Sequence, residues 1–352
     1  MHIRISVLLT SVFLGIALFV NVLAEGQIFH DLRGQPYIES ADCNYGYRVN
    51  DDDTVTIVTY PWGKNKIINV PLEIDGRKVT IISEHAFSQC DAVSINIPEG
   101  VQSIESEAFS DCRKLVSISL PETLDTIGDH AFSQNTNLQK INMPMSIESM
   151  GMNPFSDCMS LSTIDISPFH PGFTIMDGVL FDKCMERLIW FPMTYECKTY
   201  CIPEGVKTLD DSAFYRVYEL SCVYIPESVS IIGNNSFRLC ESLEEVEVTA
   251  AGLTRIGDGA FMECPLKKII LYEGLEVIGE NAFCGCQSLQ YVKLPASVYE
   301  IGNHAFDWCA DNLMFIVPKN SYAEEYAVEH GIKYSYTDIE DFEFMETRWI
   351  GG

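Results

Sequence analysis

Residues 120–143 read LPETLDTIGDHAFSQNTNLQKINM, and residues 294–317 read LPASVYEIGNHAFDWCADNLMFIV. The two stretches share Leu-Pro, a spaced pair of aliphatics, Ile-Gly, Ala-Phe and a closing apolar run. The phenylalanine marks the period. Phe87, Phe109, Phe132 and Phe155 recur every 22 or 23 residues, and Phe214, Phe237, Phe261, Phe283 and Phe306 every 22 to 24. A period of that length predicts a β-rich solenoid, in which each unit buries its apolar face only by stacking on its neighbours. Alanine precedes the phenylalanine in seven of the nine units, with Pro154 and Ser236 in the others.

Within a unit, Leu115–Leu120 alternates apolar and polar and predicts a half-buried strand, with Ile118 and Leu120 inward. Pro121 ends it, and Leu124 and Ile127 return to the core. Gly128 is read as permitting a tight turn, and Asp129 as the N-cap of a short helical turn through His130–Asn135. Cysteine stands three residues after the phenylalanine in seven units: Cys90, Cys112, Cys158, Cys240, Cys264, Cys286 and Cys309. Asn135 and Val217 hold that place elsewhere, so this column is read as a structural ladder needing size and burial rather than thiol chemistry. Cys284 is expected to point away from the ladder, leaving an exposed thiol. Cys184, Cys197 and Cys201 form the one cluster where a disulfide is considered.

The chain has 352 residues, 47% hydrophobic, enough for a sizeable core. Its net charge of −27 argues against nucleic acid phosphates and anionic membranes as partners. Residues 1–24 carry Arg4, an apolar run from Ile5 to Val20 and small residues at the end. That pattern predicts a secretory signal peptide cut after Ala24, with an uncleaved signal anchor as the alternative, and no second long apolar segment is expected to span a membrane. A secreted or cell-surface location follows.

With the repeat laid out, the unit IPEGVQSIESEAFSDCRKLVSISLP (residues 97–121) resembles the BspA-type leucine-rich repeat. DGVLFDKCMERLIWFP (177–192) is similar to the hairpin insert of that family, and SYAEEYAVEHGI (321–332) to its C-terminal cap. The resemblance implies a right-handed stack of short parallel strands and short helical turns, interrupted by one inserted β-hairpin. It also implies an exported binding protein, since some members adhere to host proteins such as fibronectin or fibrinogen. The expected organisation is a signal peptide over 1–24, an N-terminal β-hairpin cap over 25–75 and a solenoid over 76–318. The hairpin insert falls near 168–201, projecting from one side; a C-terminal cap covers 319–337 and an acidic tail 338–352.

No catalytic or metal motif emerges. H-E-x-x-H, the phosphate-binding G-x-x-x-x-G-K and the G-x-S-x-G elbow are absent, and His85, His130 and His304 belong to units that do not adjoin. The expectation is a non-enzymatic protein with no cofactor. The candidate ligand face is the outward side of the concave sheet in the second half: Tyr224, Glu245, Glu247, Lys268, Ile270, Tyr291 and Lys293. Trp190, Phe191 and Tyr195 of the insert form a second candidate, one of Trp190 and Phe191 being expected to pack inward. The partner expected is a protein; a carbohydrate or cell-envelope glycan is the alternative.

Overall fold

The computed structural model describes residues 28–336 except 32, 41, 42, 44, 62, 64, 250 and 251. The expected signal segment and acidic tail lie outside the described residues. Among the described residues, no helix is long and apolar enough to cross a membrane.

Each turn contributes two parallel strands. The longer, such as Ser117–Ser119, carries the alternating pattern; a second of two residues, such as Thr126–Ile127, lies where Leu124 and Ile127 were expected only to return to the core. Like residues stack in register: Ile95 on Ile118, Ile141 on Ile164, Val223 on Val246. The turns build two pairs of sheets. In the first half, five longer strands run from Ile67–Asn69 to Thr163–Ile166. In the second, seven run from Thr199–Cys201 to Lys333–Tyr336. The N-terminal end is an antiparallel meander of Ile28–His30, Pro36–Glu39, Gly46–Val49 and Val55–Thr59. The C-terminal end is covered by the helix Tyr322–His330, capped by Ser321 and closed by Gly331.

The expected helical turns do not form. The residue before each Ala-Phe and the second residue after the phenylalanine both adopt the left-handed backbone, as at His130 (φ 52°) and Gln134 (φ 59°). Two such residues per turn stop α-helical hydrogen bonding from propagating. Asp129 therefore does not cap its own turn. Its Oδ1 accepts the Met152 N–H of the following turn at 2.7 Å, and Asp211, Asn234 and Asp258 do the same for Asn234, Asp258 and Glu280.

The cysteine ladder has a sharper requirement than size. The thiols of Cys112, Cys158, Cys240, Cys264, Cys286 and Cys309 each donate to the phenylalanine carbonyl of the preceding turn, at 2.9 to 3.3 Å. Asn135 makes the same bond to Phe109 through Nδ2 at 3.0 Å. The position asks for a small buried donor. Val217 supplies none; it begins the second half, after the insert. Burial pushes the Cys158 and Cys309 thiols up to about 12, so both stay protonated. Cys284 does not point out: it is 8% exposed.

The insert is not a projecting hairpin. Its strands Phe173–Met176, Val179–Asp182 and Arg187–Trp190 form an antiparallel wedge whose last member pairs in parallel with Thr208–Leu209. The wedge has two turns: Asp177-Gly178, both with positive φ, and a second that starts after Asp182 and leads into Arg187–Trp190. Its two sides serve two hydrophobic cores: Leu180, Ile189 and Trp190 face the first, while Val179, Phe181, Leu188 and Phe191 face the second.

His170 pins the approach to this wedge. It is fully buried; Nδ1 accepts the N–H groups of Gly172 and Phe173 at 3.1 and 3.2 Å. Nε2, at 3.0 Å from the Pro144 carbonyl, must therefore carry the proton. Burial, with Lys183 adding to it, holds its pKa below the ordinary histidine value. The unfolded chain thus takes up the proton first as pH falls. The stability from His170 is whole above about pH 6.5 and is lost as pH drops below it, at up to about 1.4 kcal/mol per unit. Urea melts of the parent and His170→Gln at pH 7.5 and 5 should show the gap between them narrowing at the lower pH. A constant gap would contradict the assignment.

Candidate functional site

The longer strands turn one side chain in two away from the core, so the second-half sheet presents two outward columns. Register places Cys222 beside Glu245, Glu245 beside Lys268, Lys268 beside Tyr291, and Tyr291 beside Met314. The other column runs Cys201, Tyr224, Glu247 on one stretch and Ile270, Lys293, Ile316 on the next. Towards the C-terminal end the columns border a groove of about 540 Å³. Glu245, Lys268, Ile270, Tyr291 and Lys293 all line it. Tyr224 and Glu247 do not: Tyr224 is one strand further off, and Glu247 follows Glu245 on the strand at the groove's edge. The Cys222 thiol and then the Glu247 carboxylate push the Tyr224 phenol up.

Three lysines (267, 268 and 293) and one glutamate line the groove, a net excess of positive charge in a chain of net charge −27. Lys267 pairs with Glu244 at 2.5 Å, which favours its charged form. Ile270, Tyr291, Ala310 and Ile316 supply apolar lining. Ile316 is on the outward column yet only 3% exposed, which makes it floor rather than rim. The arrangement offers apolar surface for a side chain and ammonium groups for anions, with no nucleophile–base pair among these lining residues.

The first-half sheet is different. Its outward groups satisfy one another: Asn96 donates to Asn69 at 2.7 Å, Ser117 to Ser94 at 3.1 Å, Ser119 to Asn96 at 3.2 Å, and Lys140 pairs with Asp165 at 3.0 Å.

Lys267 and Ile316 were not anticipated from the sequence. Lys267 precedes its strand, so an alternating pattern starting at Lys268 passes over it. Ile316 continues the outward column by one more rung, and that rung is legible only once Lys293 is known to pair with it.

The second candidate patch is overturned. Trp190 and Phe191 are 2% and 1% exposed. They do have opposite facings, but both faces of the wedge are core: Trp190 packs edge-on to Phe155 at 6.2 Å and Phe191 stacks on Phe214 at 4.5 Å. Tyr195 is half-buried against Phe191 at 4.7 Å. Neither residue of the pair is available to a ligand. Cys184, Cys197 and Cys201 are exposed free thiols. Among the described residues no group of three His, Cys, Asp or Glu side chains could hold a metal. His304 pairs with Asp307 at 2.6 Å, and His85 lies between Glu84 and Glu107.

A comparison with curated protein sequences finds no match. Among solved structures, a leucine rich cell surface protein of Faecalibacterium prausnitzii is 25% identical and superposes with a TM-score of 0.59, covering 82% of this chain and 96% of its own. The pneumococcal vaccine antigen PcpA has the same fold at 19% identity and a TM-score of 0.58, covering 86% and 99%. The family model for the BspA type leucine rich repeat region matches residues 64–188, 190–261 and 254–347. The repeat, the stacked turns and this match together place the chain in the BspA-type leucine-rich repeat family.

Proposed function

We propose that this chain is an exported, non-enzymatic protein that binds another protein through the groove at the C-terminal end of the second-half sheet. The observation that carries the reading is the contrast between the two sheets. The first is a row of small hydroxyl and amide groups bonded to one another, whereas the second lines one concavity with Tyr291, the buried Ile316 and longer charged side chains, Lys267 among them paired with Glu244. Tyrosine and concave apolar surface with a few placed charges are what protein interfaces use at their centres. The similarity to a bacterial cell surface protein supports display on, or release from, the cell surface. Adhesion to host proteins rests on the family resemblance alone.

The test uses residues 25–352 against purified fibronectin, fibrinogen and other matrix proteins, with a Tyr224→Ala, Tyr291→Ala variant alongside. A specific partner should bind the variant on the order of tenfold more weakly or worse. A partner held equally by the variant would move the site off this face. Binding to a glycan array and to no protein would replace the protein-binding reading with a carbohydrate-binding one.

A further inference from the structure

The first rung of the cysteine ladder differs from the rest. Every later cysteine of the ladder aims its thiol hydrogen at a phenylalanine carbonyl one turn back. Cys90 has no such carbonyl. The turn before it carries Tyr60 in the phenylalanine's place, stacked on Phe87 at 5.2 Å. The acceptor of the Cys90 thiol is the Cys112 sulfur, 3.0 Å away. We infer that Cys90 and Cys112 close into a disulfide when the chain folds under oxidising conditions, clamping the first repeat turn to the second.

Distance is the first argument. Both residues are thiols in the structure. Their sulfurs lie closer than two non-bonded sulfurs ordinarily rest, and only about 1 Å beyond an S–S bond length. The backbones are in place as well. Phe87 N bonds Ala108 O and Gln89 N bonds Ser110 O, both at 2.8 Å. Equivalent residues on turns bonded in this way lie about 5 Å apart. That is inside the range of roughly 4.4 to 6.8 Å that disulfide Cα atoms span. Closing the bond therefore asks for side-chain rotation rather than a shift of the turns.

The second argument is what the bond displaces. The Cys112 thiol donates to Phe87 O at 3.1 Å and lies 3.8 Å from Ser110 O. Phe87 O keeps the Cys90 N–H at 3.1 Å, and Ser110 O keeps the Gln89 N–H at 2.8 Å. No buried carbonyl is left without a donor. Along the run Cys240, Cys264, Cys286 and Cys309, any bond between neighbours would take two donors from carbonyls. At Cys90 it takes one.

The step needs an oxidant, a low-molecular-weight or protein disulfide. One cysteine thiolate attacks it, forms a mixed disulfide and releases the first thiol. The other thiolate attacks the mixed disulfide and releases the second. Two protein thiols are oxidised to one disulfide, and the carrier disulfide is reduced to two thiols that take up the two protons. Cys90 and Cys112 are 3% and 0% exposed, so the exchange precedes the closing of the turns over them. An export compartment supplies such carriers, so the bond in the cell rests on the export reading, while the pairing rests on geometry. The bond lies beside the N-terminal meander, at the end of the stack, where fraying begins.

The experiment is disulfide mapping on residues 25–352, refolded from the reduced, urea-unfolded state in a glutathione redox buffer. The product is blocked with N-ethylmaleimide in urea and cut with trypsin. Residues 79–113 leave as one peptide, since no lysine or arginine lies between Lys78 and Arg113, and Cys90 and Cys112 are its only cysteines. The expected peptide lacks two hydrogens and carries no maleimide, whereas Cys240, Cys264, Cys286 and Cys309 are all blocked by it. Two maleimides on residues 79–113 would overturn the inference, and so would a link from either cysteine to Cys43 or any other. The oxidised product should melt on the order of 5 °C above protein refolded with reductant. Cys90→Ala should melt alike in both; the same difference in that variant would reject the clamp. Protein collected from a secreting host separates the export reading. A bond formed on refolding but missing there would count against passage through an oxidising compartment and would uphold the pairing.

Discussion

Phe237→Ala is expected to cost about 3 to 5 kcal/mol, the range for truncating a fully buried aromatic. Phe237 has no solvent exposure and stands between Phe214 and Phe261, with ring centroids 4.6 and 5.1 Å away and planes within 18° and 2° of parallel. Its removal leaves a void with a ring on each side. Neither neighbour can collapse into it without leaving its own turn, because Phe214 N is bonded to Ser236 O and Phe237 N to Ala260 O. Turns contact only their neighbours, so the damage is expected to concentrate in the turns on either side. For a chain of this size the loss corresponds to a fall in melting temperature on the order of 10 °C. Phe237→Leu keeps most of the volume and should cost visibly less. A melting temperature for Phe237→Ala within 2 °C of the parent would show that the column is not the main support of the stack.

The fold was legible because one residue type repeats at one spacing. Phenylalanine every 22 to 24 residues needs no knowledge of neighbours to be seen. Features that exist only between turns were harder. The two-residue strands, such as Ile231–Ile232, are too short to show alternation, and they become strands by pairing with the turns before and after. The left-handed column before Ala-Phe did carry a signal, since His130, Asn235 and Asn281 are residue types enriched at positive φ, but Gln134, Leu239 and Glu263 in the second column are not. Trp190 and Phe191 were assigned opposite facings, as they have. The error was to suppose that one side of the insert meets water, and nothing local in the sequence says that a second core begins there. At the groove, five of the seven expected residues line it because strand alternation fixes which side chains leave the core. Lys267 and Ile316 escaped because one lies outside the alternation and the other takes its place from pairing across turns.

The same distinction, between what a residue does in its own turn and what it does between turns, governs the glycines. Gly128 was read as a turn-former, but its column, which includes Gly151, Gly233, Gly257, Gly279 and Gly302, does not have the positive φ that only glycine adopts easily. What these positions lack is room. A Cβ on Gly257 would lie 2.7 Å from the Asn234 nitrogen, the Asn234 Oδ1 and the Gly233 carbonyl carbon. Two of those three atoms are backbone of the preceding turn, so a rotamer change cannot relieve the contact. The turns must part, which strains the Gly257 N–H bond to Ile232 O and the Asp258 N–H bond to Asn234 Oδ1, both 2.8 Å. Gly257→Ala is therefore expected to cost about 3 kcal/mol, at the upper end for overpacking. Gly205 provides the control. It has φ of 97° but nothing within 4 Å of an added Cβ, so Gly205→Ala should cost only about 1 to 2 kcal/mol of backbone strain. If turn-forming were what this column needs, the order of the two variants in a urea melt would be reversed. Non-glycine residues in the column fit the steric account. Asp210 follows a hairpin strand rather than a repeat turn and pairs with Arg187 at 2.6 Å. Glu105 does follow a repeat turn, and its carboxylate bonds the Ser83 hydroxyl and the Glu84 N–H of that turn, each at 3.1 Å. A side chain is accepted there when it bonds to the neighbouring turn, and glycine stands where the two backbones come too close for one.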